Sequence, residues 1–151
     1  MAERDRIVDQ LDRAFEGEAW HGPSVLEVLE GMTWKKAVEK PVPDAHSVWE
    51  IVLHMTAWEE VVRRRLLGET VNLTDEQDWP PAANPSQAGW SRALEALRAG
   101  HARLREIAAG ITDNELDSSP GGKYSTRYVL LHGIIQHDLY HAGQIAVLKK
   151  G

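Results

Sequence analysis

The sequence has no cysteine among its 151 residues. Without thiols the chain has no disulfide, no zinc–thiolate site and no cysteine nucleophile, so it does not need an oxidising compartment. Basic residues are also in the minority, because 17 Lys and Arg stand against 23 Asp and Glu and leave a formal net charge of −6. A surface of that sign repels phosphate backbones and anionic lipids, so we expect no nucleic-acid and no membrane partner.

Long apolar runs are nearly absent as well. The closest is the segment 128–148, which has the length of a bilayer span and only one formally charged residue, Asp138. It also contains several polar side chains that would be costly in hydrocarbon, namely His132, His137, His141, Gln136 and Gln144. We therefore predict a buried helix of a soluble protein. The charged N-terminus does not resemble a secretory signal, so we expect a cytoplasmic location.

What the sequence does have is helical periodicity in four long segments. The first segment surrounds Ile7–Phe15; the second begins at Ser47 and stops at Gly68; the third has Asn84 as N-cap and runs to Gly110; the fourth runs from Ser125 to Lys149–Lys150. Shorter capped helices are expected after Ser24, Thr33 and Thr112. No segment alternates like a strand. The sequence therefore predicts an all-α chain, a four-helix bundle in a single domain spanning residues 1–151.

The second and third of these helices are separated by residues 68–84, which include Trp79, Pro80 and Pro81. We predict a long loop here, and loops of this length in compact domains are often functional.

Seven histidines invite a metal hypothesis. His137 and His141 are four residues apart, which places both imidazoles on one helix face about one turn apart. Two nitrogens in that arrangement can reach one divalent ion at about 2.1 Å. Ile134 and Ile145 share this face, so the pair is directed into the core and must find partners there. The alternative is that the two are hydrogen-bonded core histidines without a metal.

A metal in a bundle needs a further ligand from another helix, and two histidines qualify. His54 lies at the edge of the apolar stripe of its helix, whereas His101 lies in the middle of its own stripe. Their positions alone do not choose between them. The other histidines are expected in turns, at caps or on the surface; they are His21, His46 and His132, the last pointing about 140° away from His137.

Two segments resemble the DinB/YfiT-like family. The segment from Ser47 to Glu59, SVWEIVLHMTAWE, is similar to the second-helix motif of that family, and the segment from Leu131 to Ile145, LHGIIQHDLYHAGQI, is similar to its last-helix motif. Helix order and total length also fit, so the resemblance covers essentially the whole chain.

The resemblance implies a four-helix bundle with a divalent metal on three histidines, one from the second helix and two from the last. By position these are His54, His137 and His141, which makes His101 a candidate for core packing or for orienting a ligand. Nitrogen ligands favour zinc or nickel, with manganese or iron after them. Relatives described as metal-dependent hydrolases or thiol-dependent transferases imply a small-molecule substrate, with a low-molecular-weight thiol as cosubstrate in the second case. They also imply a homodimer.

Three neutral imidazoles leave a coordination position open, as catalytic sites require. Three residues are catalytic candidates, each with an ordinary structural alternative. Glu50 could orient His54 or pair with Ser47 in a capping box, while Tyr140 and Gln144 could bond near the site or be polar residues at the edge of the core. Glu59 and Asp138 are expected to be solvated or to orient a ligand. The alternative function is a metal-stabilised binding or stress-response module without catalysis.

Overall fold

The computed structural model describes all 151 residues and contains eight helices and no strand. Four helices are long: α1 (Glu3–Phe15), α4 (Val48–Leu66), α6 (Gln87–Gly110) and α8 (Arg127–Leu148). Four are short: α2 (Val25–Leu29), α3 (Trp34–Val38), α5 (Asp75–Asp78) and α7 (Asp113–Leu116). Both α1 and α4 pack against α6 and α8. The all-helical prediction is confirmed, and this ring of long helices is consistent with a four-helix bundle.

Side-chain hydroxyls determine where three of the long helices begin. Ser47 accepts a hydrogen bond from the backbone N–H of Glu50, as predicted. The predicted cap Asn84 and the predicted helix start at Ser125 are wrong, because Ser86 caps α6 and Thr126 caps α8. Asn84 has a φ of 50°, whereas an N-cap needs extended backbone.

The connection between α4 and α6 is less irregular than the sequence predicts. A capping box of Thr74 and Gln77 starts the short helix α5 within the predicted loop 68–84. Tyr124, just before α8, fastens the connection, since its hydroxyl accepts from the N–H of Val71 at 2.7 Å and donates to the carbonyl of Val71 at 2.9 Å. The prediction of one long loop is therefore corrected to a tethered connection that contains a helical turn.

The apolar core has two parts. The first includes Met55 of α4, Leu97 of α6 and Ala142 of α8, and the second includes Val62, Leu104 and Ile135 of the same helices. Along each of these helices a buried polar stretch falls between the two parts. This polar level contains Glu59 of α4, His101 of α6, and His137, Asp138 and His141 of α8.

None of the helices combines the length and the hydrophobicity that a membrane span requires.

Candidate metal centre

The structure brings the three predicted metal ligands together. The Nε2 atom of His137 lies 3.0 Å from Nε2 of His54 and 3.1 Å from Nε2 of His141. His54 comes from α4 and is buried, as is His141, while His137 is half-buried beside it on α8. One nitrogen of each ring therefore points to a common position.

In His54 and His141, the hydrogen bond of the outer nitrogen, Nδ1, determines whether the inner nitrogen, Nε2, carries a proton or a lone pair. Nδ1 of His54 lies 2.7 Å from the carbonyl oxygen of Asp78, which can only accept, so this nitrogen is the donor. Nδ1 of His141 likewise faces Oε1 of Gln144 at 2.7 Å. In a neutral ring, a proton on Nδ1 leaves a lone pair on Nε2.

Two lone pairs thus face the single Nε2 atom of His137, which can supply at most one proton. At most one of the two short nitrogen–nitrogen approaches can therefore be a hydrogen bond, which leaves the other as a repulsive contact. A cation between the three atoms removes this repulsion, and hydrogen bonds to the outer nitrogens are what orient metal-bound histidines. The three residues could therefore hold a divalent ion.

The electrostatics of the cluster favour neutral rings. Burial, together with the neighbouring His141 and His54, lowers the pKa of His137 to about 3. Burial also lowers the pKa of His54, against the opposing effect of its bond to Asp78, and that of His141, against its bond to Gln144. A neutral imidazole is the form that binds metal.

An aromatic stack that the sequence did not predict holds the ring of His54 in place. The Trp79 ring lies parallel to the ring of His54 with centroids 3.7 Å apart, and parallel to that of His46 on its other face at 3.6 Å. Trp58 donates from Nε1 to the carboxylate of Asp78 at 2.6 Å. His46 was expected at a cap or on the surface; 44% of its side chain is exposed, and its ring also forms part of this stack.

The three catalytic candidates have different surroundings. Glu50 bonds to His46 at 2.7 Å and to Lys40 at 2.9 Å, and its backbone is capped by Ser47, so the described hydrogen bonds connect it to His46 and not to His54. Tyr140 is exposed, with its ring edge-on to His141. Gln144 is the candidate that contacts a predicted ligand directly.

Two cavities border the cluster and share no lining residue. One of about 590 Å³ includes His141, Gln144, Tyr140 and Trp79. The other, of about 380 Å³, includes His54, His137, Asp78 and Arg65. Small molecules could thus approach the histidines from two directions.

The remaining candidate ligand, His101, lies in another cluster. Its ring stacks on Phe15 with centroids 3.9 Å apart. Its ionisable neighbours are Asp12, whose Oδ1 lies 3.6 Å from Nε2, together with Glu59 and Asp138. Glu59 and Asp138 were expected to be solvated or to orient a ligand, and the first alternative is wrong, because both are completely buried. Helical spacing held the signal, since Glu59 falls four residues after Met55 and three before Val62.

The comparisons with known proteins give one match. No curated protein and no solved structure matches the chain significantly. The model of the DinB superfamily matches residues 19–145, a range that includes all three clustered histidines. The resemblance found in the two motifs is thereby confirmed, and the chain belongs to the DinB superfamily.

Proposed function

We propose that the protein is a divalent-metal-dependent enzyme that uses His54, His137 and His141 to activate a low-molecular-weight thiol for transfer to a small electrophile. The observation that carries this proposal is the convergence of three Nε2 atoms, 3.0 and 3.1 Å apart, whose outer nitrogens on His54 and His141 are already committed as donors. Such a donor set suits zinc or nickel, with manganese or iron after them. When bound, the ion would lower the pKa of a thiol or a water in its open position.

The residues of the chain have three tasks in this proposal. The carbonyl of Asp78 and the amide of Gln144 hold two imidazoles in the ligating tautomer. Trp79 fixes the plane of His54 and forms part of the wall of the larger cavity. Because the chain has no cysteine, the thiol must come from a cosubstrate.

The two cavities favour transfer between two small molecules. With the thiol in one cavity and the electrophile in the other, the sulfur attacks carbon, the leaving group departs with the bonding electrons, and the thiol proton passes to solvent.

Hydrolysis is the second candidate function, and one observation favours it. Asp78 and Arg65 both line the smaller cavity beside His54 and His137. A carboxylate there can take a proton from water, and a guanidinium can hold an anionic substrate.

The test compares two histidines of α8. Untagged wild-type protein, His137→Ala and His132→Ala are assayed for metal content and for conjugation of glutathione, cysteine or coenzyme A to monochlorobimane, with 4-nitrophenyl esters for hydrolysis. We expect His137→Ala to lose conjugation and His132→Ala to keep it, because the ring of His132 contacts Tyr128, outside the cluster.

Conjugation that survives in His137→Ala would overturn the proposal. Stoichiometric metal without turnover of either probe would favour the non-catalytic binding or stress-response module instead. The homodimer implied by the resemblance stays a prediction, to be measured by analytical ultracentrifugation.

A further inference from the structure

Three ionisable side chains meet in the core at the polar level between the two apolar clusters. Glu59 comes from α4, His101 from α6 and Asp138 from α8. Their exposed fractions are 0%, 2% and 0%, and each offers a ligand atom within 4.8 Å of the other two. This set shares no residue with the three-histidine cluster.

These side chains make no hydrogen bond with the protein, and their one ionic contact outside the set joins Nε2 of His101 to Oδ1 of Asp12 at 3.6 Å. All six of their polar atoms, the four carboxylate oxygens and both imidazole nitrogens, are buried without a hydrogen-bond partner. Most buried polar atoms in proteins have at least one partner, and a buried carboxylate without one is costly. Three such side chains in one place indicate that something absent from the polypeptide completes their interactions.

No basic side chain neutralises the two carboxylates. The nearest imidazole nitrogen, Nδ1 of His101, is 3.9 Å from Glu59 and makes no hydrogen bond to it. Arg105 is committed to Asp12, at 2.8 Å, and Arg103 is exposed. The charge that two ionised carboxylates place here therefore equals that of one divalent cation, with opposite sign.

The surrounding residues fit the cluster closely. Gly100 allows α6 to approach Glu59, because a Cβ atom at that position would lie 3.0 Å from Oε2. Phe15 lies parallel to the ring of His101, at an angle of 4°, and fixes its plane. The donors are thus held by three helices of the bundle, which is how bundle metal sites are built.

We propose that Glu59, His101 and Asp138 form a second divalent-cation site, distinct from the three-histidine cluster. Two carboxylates and one imidazole offer a harder ligand set than three imidazoles, and suit Mn²⁺ or Fe²⁺. The ion would link α4, α6 and α8 at the polar level between the two apolar clusters. This site does not depend on the enzymatic function proposed above.

The test counts bound Mn²⁺ per full-length chain, by the electron paramagnetic resonance signal of the free ion. We expect two bound ions in the wild type, one in His54→Ala, one in Glu59→Gln and none in the double variant. The matched control is Glu60→Gln, which removes the carboxylate of the neighbouring residue. Glu60 pairs with Arg63 and is partly exposed, so this variant should keep both ions.

Undiminished binding in Glu59→Gln, or one ion in the wild type that His54→Ala removes, overturns the proposal. Asp138→Asn provides a second variant of equal shape, should Glu59→Gln not fold. Wild-type protein alone gives a further test by infrared spectroscopy. If saturating Mn²⁺ leaves the band of a protonated buried carboxyl in place, the cluster holds protons in place of an ion and the proposal fails.

Discussion

The Nδ1 atom of His54 lies 2.7 Å from the main-chain carbonyl oxygen of Asp78, 24 residues further along the chain. This hydrogen bond joins the histidine that α4 contributes to the cluster with the segment that links α4 and α6. Because the carbonyl fixes the tautomer of His54, the conformation of that connection determines whether His54 presents a lone pair to the other two rings. The tether from Tyr124 to Val71 thus acts on the site as well as on the fold.

The amide of Gln144 should support metal binding through His141. Gln144→Ala removes the acceptor 2.7 Å from Nδ1, so the ring is no longer held in the ligating tautomer. Loss of such an orienting group typically weakens metal affinity by about 10- to 100-fold. Competition with a chromophoric zinc chelator measures the change. The control Gln136→Ala removes an exposed amide of the same helix and should have no effect; equal affinities in all three proteins would contradict the role of Gln144.

The lowered pKa of His137 in the metal-free protein predicts how the free energy of unfolding depends on pH. The pKa of His137 falls from 6.5 to about 3 on folding, so between these values the unfolded chain binds a proton that the folded chain does not. The contribution of His137 to stability is therefore full above pH 6.5 and is lost as the pH falls towards 3, by up to about 1.4 kcal/mol per pH unit.

Urea unfolding of metal-free protein across that range measures the slope. His137→Gln should give a shallower slope than the wild type, whereas His132→Gln should leave it unchanged. The comparison of variants isolates His137 from Glu59 and Asp138, whose buried carboxyls have raised pKa values and so act in the opposite direction. Equal slopes for the wild type and His137→Gln would show that folding does not lower the pKa of His137.

Local patterns predicted those parts of the site that lie on one helix. The spacing of His137 and His141 is a property of α8 alone, and the apolar stripes of the long helices are equally local. The third ligand needed the family resemblance, because His54 and His101 are both buried on inward faces. Periodicity does not describe how separate helices face one another.

The hydrophobic pattern of the sequence did not predict two features, the stack of Trp79 on His54 and the burial of Glu59 and Asp138, for different physical reasons. The stack of Trp79 on His54 depends on the path of a connection that has no period. Glu59 and Asp138 were expected to be solvated or to orient a ligand, and complete burial of charged side chains is rare. Their helical spacing with the apolar residues indicated the interior, but the third member of the cluster, His101, comes from another helix. The spacing within α4 or α8 does not show which residue of α6 lies beside them.

The choice of third ligand is tested by two alanine variants. His54→Ala should prevent zinc from binding to the three-histidine cluster, since two imidazoles do not hold the ion tightly, and should remove the stabilisation that the ion gives. His101→Ala should leave this cluster loaded and cost about 1–3 kcal/mol through the packing lost against Phe15. The ¹⁵N resonances of His137 and His141 report zinc at this cluster alone. Loss of their zinc-induced shifts in His101→Ala, with retention in His54→Ala, would exchange the two assignments.

The close approach of α6 to Glu59 makes a further prediction about Gly100. An alanine in the middle of a helix usually stabilises it by about 1 kcal/mol relative to glycine. At position 100 the added Cβ would lie 3.0 Å from Oε2 of a side chain with no exposed surface to move into. We therefore expect Gly100→Ala to destabilise the protein by about 1–3 kcal/mol, as overpacked cores do. Gly143→Ala is the matched control, because that glycine is also helical, is exposed and has no atom within 4 Å of the new Cβ. It should raise the unfolding free energy measured in urea. A gain of similar size in both variants would mean that α6 does not press on Glu59, and that the carboxylate is free to turn away from His101 and Asp138.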